Sequence, residues 1–206
     1  MPTKFQRYKE NLHKLYLLLS AAIIGYAVVT GLFHNGRVSF FALKTFTYQS
    51  NILLIVGFLL MVVLYNKGGL RHYISACVLV AITVTGLVYN FVLVPFANAP
   101  MFYLGFVNFA THALSAILAL ANYFVFEKKG RYKRRHISAA MVFPTVYWIV
   151  FISIGERINF IPYFFMNPNQ IGWGMVVVWF WILMSVFGIL GLLLLLYDRW
   201  CSRYTL

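Results

Sequence analysis

Long apolar runs free of Asp, Glu, Lys and Arg alternate along the chain with short basic or polar breaks. Six runs are long enough to cross a bilayer: Leu15 to Phe33, Thr45 to Tyr65, Tyr73 to Phe96, Met101 to Phe126, Ile137 to Gly155 and Ile171 to Tyr197. Each approaches or exceeds the ~20 residues that a spanning helix needs. The pattern predicts an all-α, integral membrane bundle of six transmembrane helices, residues 1–206 forming a single domain. The connections NKGGLRH, ANAP and EKKGRYKRRH are short. The longest one, ERINFIPYFFMNPNQ (156–170), is aromatic and proline-bearing, and is expected to lie over the bundle mouth. Pro144 is expected to kink the fifth span and free a carbonyl. The tryptophans are expected mostly at lipid-facing or interfacial positions.

Composition agrees with this class: 62% of the residues are hydrophobic and 10% charged, whereas a soluble domain carries roughly 25% charge. Seventeen Lys and Arg oppose four acids, an excess that in isolation would suggest a nucleic-acid partner. Its distribution excludes that reading. With helices alternating in direction, only Arg37, Lys44 and Arg157 fall on one side; the other fourteen cations share the side of the termini. Such a bias marks cytoplasmic loops, so both termini are expected in the cytoplasm and no nucleic acid is invoked. The basic loop 126–136 is read as a topology determinant, with a lipid-headgroup contact as the alternative. The first run ends in TGLFHNG without a small-residue cleavage pattern and is read as a retained helix, not a signal peptide.

Cys77 and Cys201 fall near the cytoplasmic ends of helices, where a structural disulfide is not expected. No pair among the five histidines has metal-ligand spacing, so neither a metal nor another cofactor is expected. No internal repeat or pair of interrupted helices suggests a repeat-built transporter.

Polar side chains in spanning helices face the bundle interior, because an unpartnered amide or imidazole in hydrocarbon is costly. Thr47, Ser50 and Asn51 share one face of the second helix. Asn108, Thr111, His112 and Ser115 form a stripe on the fourth, and Thr83 and Asn90 align on the third. Counting ~1.5 Å per residue from the basic side puts Thr47 roughly 27 Å up, Asn90 roughly 26 Å and His112 roughly 21 Å, all in the outer half. Ordinary helix tilts of ~20° close the difference. These positions predict a pocket open to the non-cytoplasmic side. His112 is read as the one histidine well inside a span, with no carboxylate in any span to pair with it. A neutral imidazole there either joins helices by a hydrogen bond or takes a proton from a hydroxyl.

Lys44 to Ile52, KTFTYQSNI, resembles the second-helix motif of the androgen-induced and androgen-dependent TFPI-regulating membrane hydrolases, where a lysine precedes the nucleophilic threonine by three residues. Asn108 to His112, NFATH, is similar to that family's Asn-x-x-x-His, and FIPYFF (160–165) to its outer loop. The bacterial six-helix relatives are closer still, with FTxQSN followed by TVTGxVY, here Thr83 to Tyr89. The similarity runs from about residue 40 to 185. It implies a threonine hydrolase cleaving fatty-acid esters of hydroxy fatty acids in a bacterial cytoplasmic membrane, Thr47 being the nucleophile and His112 the general base. Where the animal enzymes carry an acidic residue, this chain has Ser50, a position expected to bear on substrate choice.

The residues themselves permit three readings. In the first, a Thr47–His112 dyad hydrolyses a lipid ester through an acyl-threonine, with Glu156 a candidate to orient the imidazole. Backbone N–H groups inside a helix being already bonded, Asn51, Asn90 and Asn108 are the candidate oxyanion donors, and Ser50 a candidate substrate contact. In the second, the same pocket holds a lipid or small solute for binding or transport. In the third, the chain assists the assembly of other membrane proteins.

Overall fold

The computed structural model describes residues 3–34, 37–96 and 105–203. The ANAP connection and the first residues expected in the fourth span, 97–104, lie outside the described residues. Among the described residues, six helices are long and apolar enough to cross a membrane: α1 (Lys4–Leu32), α2 (Phe46–Val63), α3 (Gly68–Leu93), α4 (Phe106–Phe126), α5 (Arg134–Ile154) and α6 (Pro168–Ser202). Between α1 and α2 a two-residue antiparallel ladder pairs Phe33 with Val38 and His34 with Arg37.

The first helix starts well before Leu15. Thr3 and Gln6 form a reciprocal capping box, the Thr3 N–H donating to Gln6 Oε1 at 2.9 Å and the Gln6 N–H to Thr3 Oγ1 at 3.2 Å. One turn on, Lys14 Nζ pairs with Glu10 at 2.6 Å. The basic head is therefore helical, with His13 and Leu17 on its buried face. The last helix likewise runs past Tyr197 to Ser202, and a positive φ of 75° at Gly172 interrupts its first turns, a conformation open to glycine.

Helix α3 is the axis, packing against α2, α4, α5 and α6, while α1 lies against α2 and α4. In α3, 61% of the most apolar stretch is buried, against 22–39% in the other five. Val78 through Gly86 are buried without a break, so this helix shows no lipid-facing side there. Exposed leucines, isoleucines and valines, Leu15, Leu19, Val63, Ile149 and Leu193 among them, cover the perimeter instead. Gly86 lets α3 and α4 approach: a Cβ there would lie 2.9 Å from the His112 carbonyl oxygen.

The connection between α5 and α6 folds inward. Phe160, Phe165 and Met166 are buried against Tyr147, Trp148, Phe151 and Leu183. Trp148 thus departs from the interfacial expectation, while Trp173, Trp181 and Trp200 are exposed. Helix α5 continues through Pro144, and the Thr145 hydroxyl donates to the Met141 carbonyl at 2.8 Å.

The expectation of carboxylate-free spans with a single interior histidine is corrected at the basic end. Asp198 of α6 has no exposed surface, and His13 is 2% exposed. Asp198 accepts from the Tyr123 hydroxyl at 3.1 Å and the Tyr132 N–H at 2.9 Å. Just past α4, Glu127 accepts from Asn122 Nδ2 at 2.8 Å and from the Ser75 hydroxyl. Asn122 Oδ1 in turn accepts from His13 Nε2 at 2.8 Å. These bonds tie α1, α3, α4 and α6 at one end, and burial pushes the Glu127 carboxyl above its ordinary value.

Candidate functional site

At the opposite end of α2, Thr45 caps the helix, its hydroxyl accepting the Tyr48 N–H at 3.4 Å and donating to the Ala42 carbonyl at 2.8 Å. Thr47 therefore falls in the first turn, where main-chain N–H groups lack intrahelical acceptors. Its side chain is 7% exposed, and Oγ1 lies 3.3 Å from His112 Nε2. The other ring nitrogen, Nδ1, lies 3.1 Å from the Asn108 carbonyl and 3.1 Å from Thr111 Oγ1. A carbonyl only accepts, so Nδ1 carries the proton. Thr111 directs its own proton to the Val107 carbonyl at 2.9 Å. Nε2 is left as a bare lone pair facing the Thr47 hydroxyl.

Two π-helical segments meet here, Tyr89–Leu93 of α3 and Ala110–Leu114 of α4. They bring the Tyr89 ring onto the His112 ring, centroids 3.6 Å apart at 25°. Asn108 Nδ2 donates to the Tyr89 hydroxyl, so one residue orients both rings through its carbonyl and its amide.

The remaining candidates hold the frame. Asn51 Nδ2 donates to the Thr47 carbonyl at 2.7 Å and to the Thr111 carbonyl at 2.8 Å, setting the register of the two helices one residue from His112. Rotating this amide would aim its oxygen at two carbonyls, so the orientation is fixed although Oδ1 is buried without a partner. Ser50 donates to the Thr47 carbonyl at 3.0 Å and meets Thr85 Oγ1 of α3 at 2.8 Å. Asn90 Nδ2 donates to the Gly86 carbonyl at 2.7 Å. These amides are spent on protein partners, and the first-turn N–H groups of Phe46 and Tyr48 are likewise engaged, by the Tyr163 hydroxyl and by Thr45 Oγ1. Glu156 is exposed and accepts from Asn169 Nδ2 at 3.2 Å.

Two cavities flank the pair. Thr47, Phe46, Tyr147, Trp148, Tyr163 and Met184 border a narrow apolar one of about 50 Å³ between α2, α3, α5 and α6. His112, Tyr89, Asn90, Asn108 and Phe109 border a second of about 370 Å³. The alcohol and the imidazole touch across the partition, one facing each space.

Tyr163 was not singled out by helical periodicity, because it belongs to a connection. Its hydroxyl accepts the Phe46 N–H at 3.0 Å and interacts with the main chain and hydroxyl of Thr47 and with the Tyr147 hydroxyl. Tyr147 donates to the Lys44 carbonyl at 3.0 Å. The one signal in the sequence was the aromatic, proline-anchored stretch FIPYFF.

Fold and site together define a class: an all-helical bundle of membrane-spanning proportions with an alcohol–imidazole pair between two cavities. Comparison with protein-family models, curated proteins and solved structures finds no match.

Proposed function

We propose that the chain is a multi-pass membrane hydrolase of lipid esters, with Thr47 as nucleophile and His112 as general base. One observation carries the reading: a buried hydroxyl 3.3 Å from the unprotonated nitrogen of an imidazole whose other nitrogen is held by a carbonyl. His112 takes the Thr47 proton as the hydroxyl attacks the ester carbonyl, then returns it to the departing alcohol. The acyl-threonine so formed is released by a water that loses its proton to the same nitrogen. A carbonyl fixes the tautomer as a carboxylate would, but with a partial charge it stabilises the imidazolium less. Modest turnover follows.

The apolar cavity beside Thr47 suits the start of an acyl chain, and the larger one beside His112 suits the hydroxy-acid portion and water. Fatty-acid esters of hydroxy fatty acids are the substrate class in keeping with this division. The excess of cations on the side of the termini supports a cytoplasmic placement of both ends, in a bacterial cytoplasmic membrane, with the site toward the other face. The test is hydrolysis of the palmitic ester of hydroxystearic acid by purified protein in detergent. Thr47→Ala is expected to reduce turnover to background with the fold retained; turnover like that of the wild type would overturn the reading.

The 370 Å³ cavity with Asn90 and Asn108 on its wall favours a second reading, a lipid-binding or small-solute transport protein. That reading requires saturable, reversible binding undiminished by Thr47→Ala.

A further inference from the structure

Resting on the hydrolase reading, we infer that Tyr163 is a further catalytic residue, whose phenolic O–H donates to the oxyanion formed when Thr47 attacks. The phenol oxygen is held from behind by the first turn of α2: the Phe46 N–H donates to it at 3.0 Å, and the main chain of Thr47 lies within reach. Accepting there leaves the phenol one group to give, its proton. Tyr163 and Thr47 border the same narrow cavity, so a proton given by the phenol there is given beside the oxygen that attacks the carbonyl. A chain of donors results, from the positive end of α2 through the phenol to the reacting centre, each bond polarising the next.

The placement of this group is built. Phe165 and Met166, two and three residues on, are 2% and 1% exposed, and the Phe165 ring stacks on the Tyr163 ring with centroids 5.1 Å apart. Burial pushes the phenol above its ordinary value, so it stays protonated at neutral pH, the form a donor requires. As the Thr47 oxygen bonds to the carbonyl carbon, the carbonyl π pair moves onto oxygen. The Thr47 proton passes to His112 Nε2, and the Tyr163 proton bridges the new oxyanion without leaving its phenol. When the pair returns, the bond to the alcohol breaks and the alcohol takes the proton from His112.

The test is steady-state hydrolysis of the palmitic ester of hydroxystearic acid by the full chain in detergent, with Tyr163→Phe, Thr47→Ala and Tyr16→Phe in parallel. Tyr16 donates to the Leu118 carbonyl, away from the site. Tyr163→Phe is expected to lower kcat about a hundredfold with KM changed less than threefold, and to slow fluorophosphonate labelling of Thr47 in proportion. Tyr16→Phe is expected to match the wild type. A Tyr163→Phe kcat within threefold of wild type, with Thr47→Ala inactive, overturns the donor role and leaves the hydrolase reading standing. Activity in Thr47→Ala overturns both. Should Phe at 163 disturb the fold, fluorinated tyrosine incorporated there keeps the shape; its alkaline activity limit is expected to move to lower pH, and an unmoved limit overturns the assignment.

Discussion

Two histidines, one at each end of the bundle, differ in what faces the basic nitrogen. His13 donates through Nε2 to Asn122, and its Nδ1 lone pair is met by the Tyr65 hydroxyl and Arg71 Nη2, both at 3.2 Å. His112 donates through Nδ1 to Asn108, and its Nε2 lone pair is met by one alcohol beside a cavity. The first imidazole is quenched by a cation and a phenol and holds helices together. The second is aimed at a group that can react. The tautomers are opposite, Nε2–H at His13 and Nδ1–H at His112, and the occupant of the lone pair makes one a tie and the other a base.

Exchanging the two histidines for alanine breaks this comparison most sharply. His112→Ala is expected to lower kcat by roughly a thousandfold with little change in thermal stability. His13→Ala is expected to do the reverse, keeping kcat per folded molecule within twofold while lowering Tm. Ester hydrolysis and thermal unfolding in detergent, measured on both, check it; a thousandfold activity loss from His13→Ala would erase the distinction.

At the saturated end the next largest effect belongs to Asp198. Its removal strands the Tyr132 N–H and the Tyr123 hydroxyl in a buried site, and Asp198→Ala is expected to cost about 3 kcal/mol. Thermal unfolding reads the loss, with hydrolysis per folded molecule unchanged.

At the reactive end, geometry is the more sensitive quantity. Gly86→Ala would put a methyl 2.9 Å from the His112 carbonyl, and is expected to move α4 enough to lower kcat about tenfold while Tm falls only slightly.

The smallest effect is one of pH. The folded protein holds the Glu127 proton more tightly than the unfolded chain, because burial raises this carboxyl. Its contribution to stability is complete below the ordinary carboxylate range and declines as pH rises through the raised value. A fall in Tm with pH across that window is expected in the wild type and is expected to flatten in Glu127→Gln.

How far the sequence announced these two ends follows from what each is made of. The reactive end is written in helical spacing: Thr47 with Asn51, and Asn108 with His112, are one turn apart, so their faces and rough depth were readable. The saturated end is made of His13, Glu127 and Asp198, which sit beside basic clusters and read as solvated head-group residues. The capping box that starts α1 at Lys4 and the continuation of α6 to Ser202 bring His13 and Asp198 inside, and Ser75 and Asn122 hold Glu127 just past α4. No periodicity reports the π-helical segments that bring Tyr89 onto His112. For a threonine in mid-helix the Asn amides would be the nearest donors. Thr45 instead starts α2 two residues before Thr47, and the Phe46 N–H of that first turn is given to the Tyr163 hydroxyl, which leaves Tyr163 as the nearer donor.

The most direct measurement is peptide mass spectrometry of the wild-type protein after reaction with a long-chain fluorophosphonate, beside His112→Ala and His13→Ala. The expected result is one adduct, on Thr47, abolished in His112→Ala and undiminished in His13→Ala. An unlabelled Thr47 in protein that hydrolyses the ester, or labelling indifferent to His112, would contradict it.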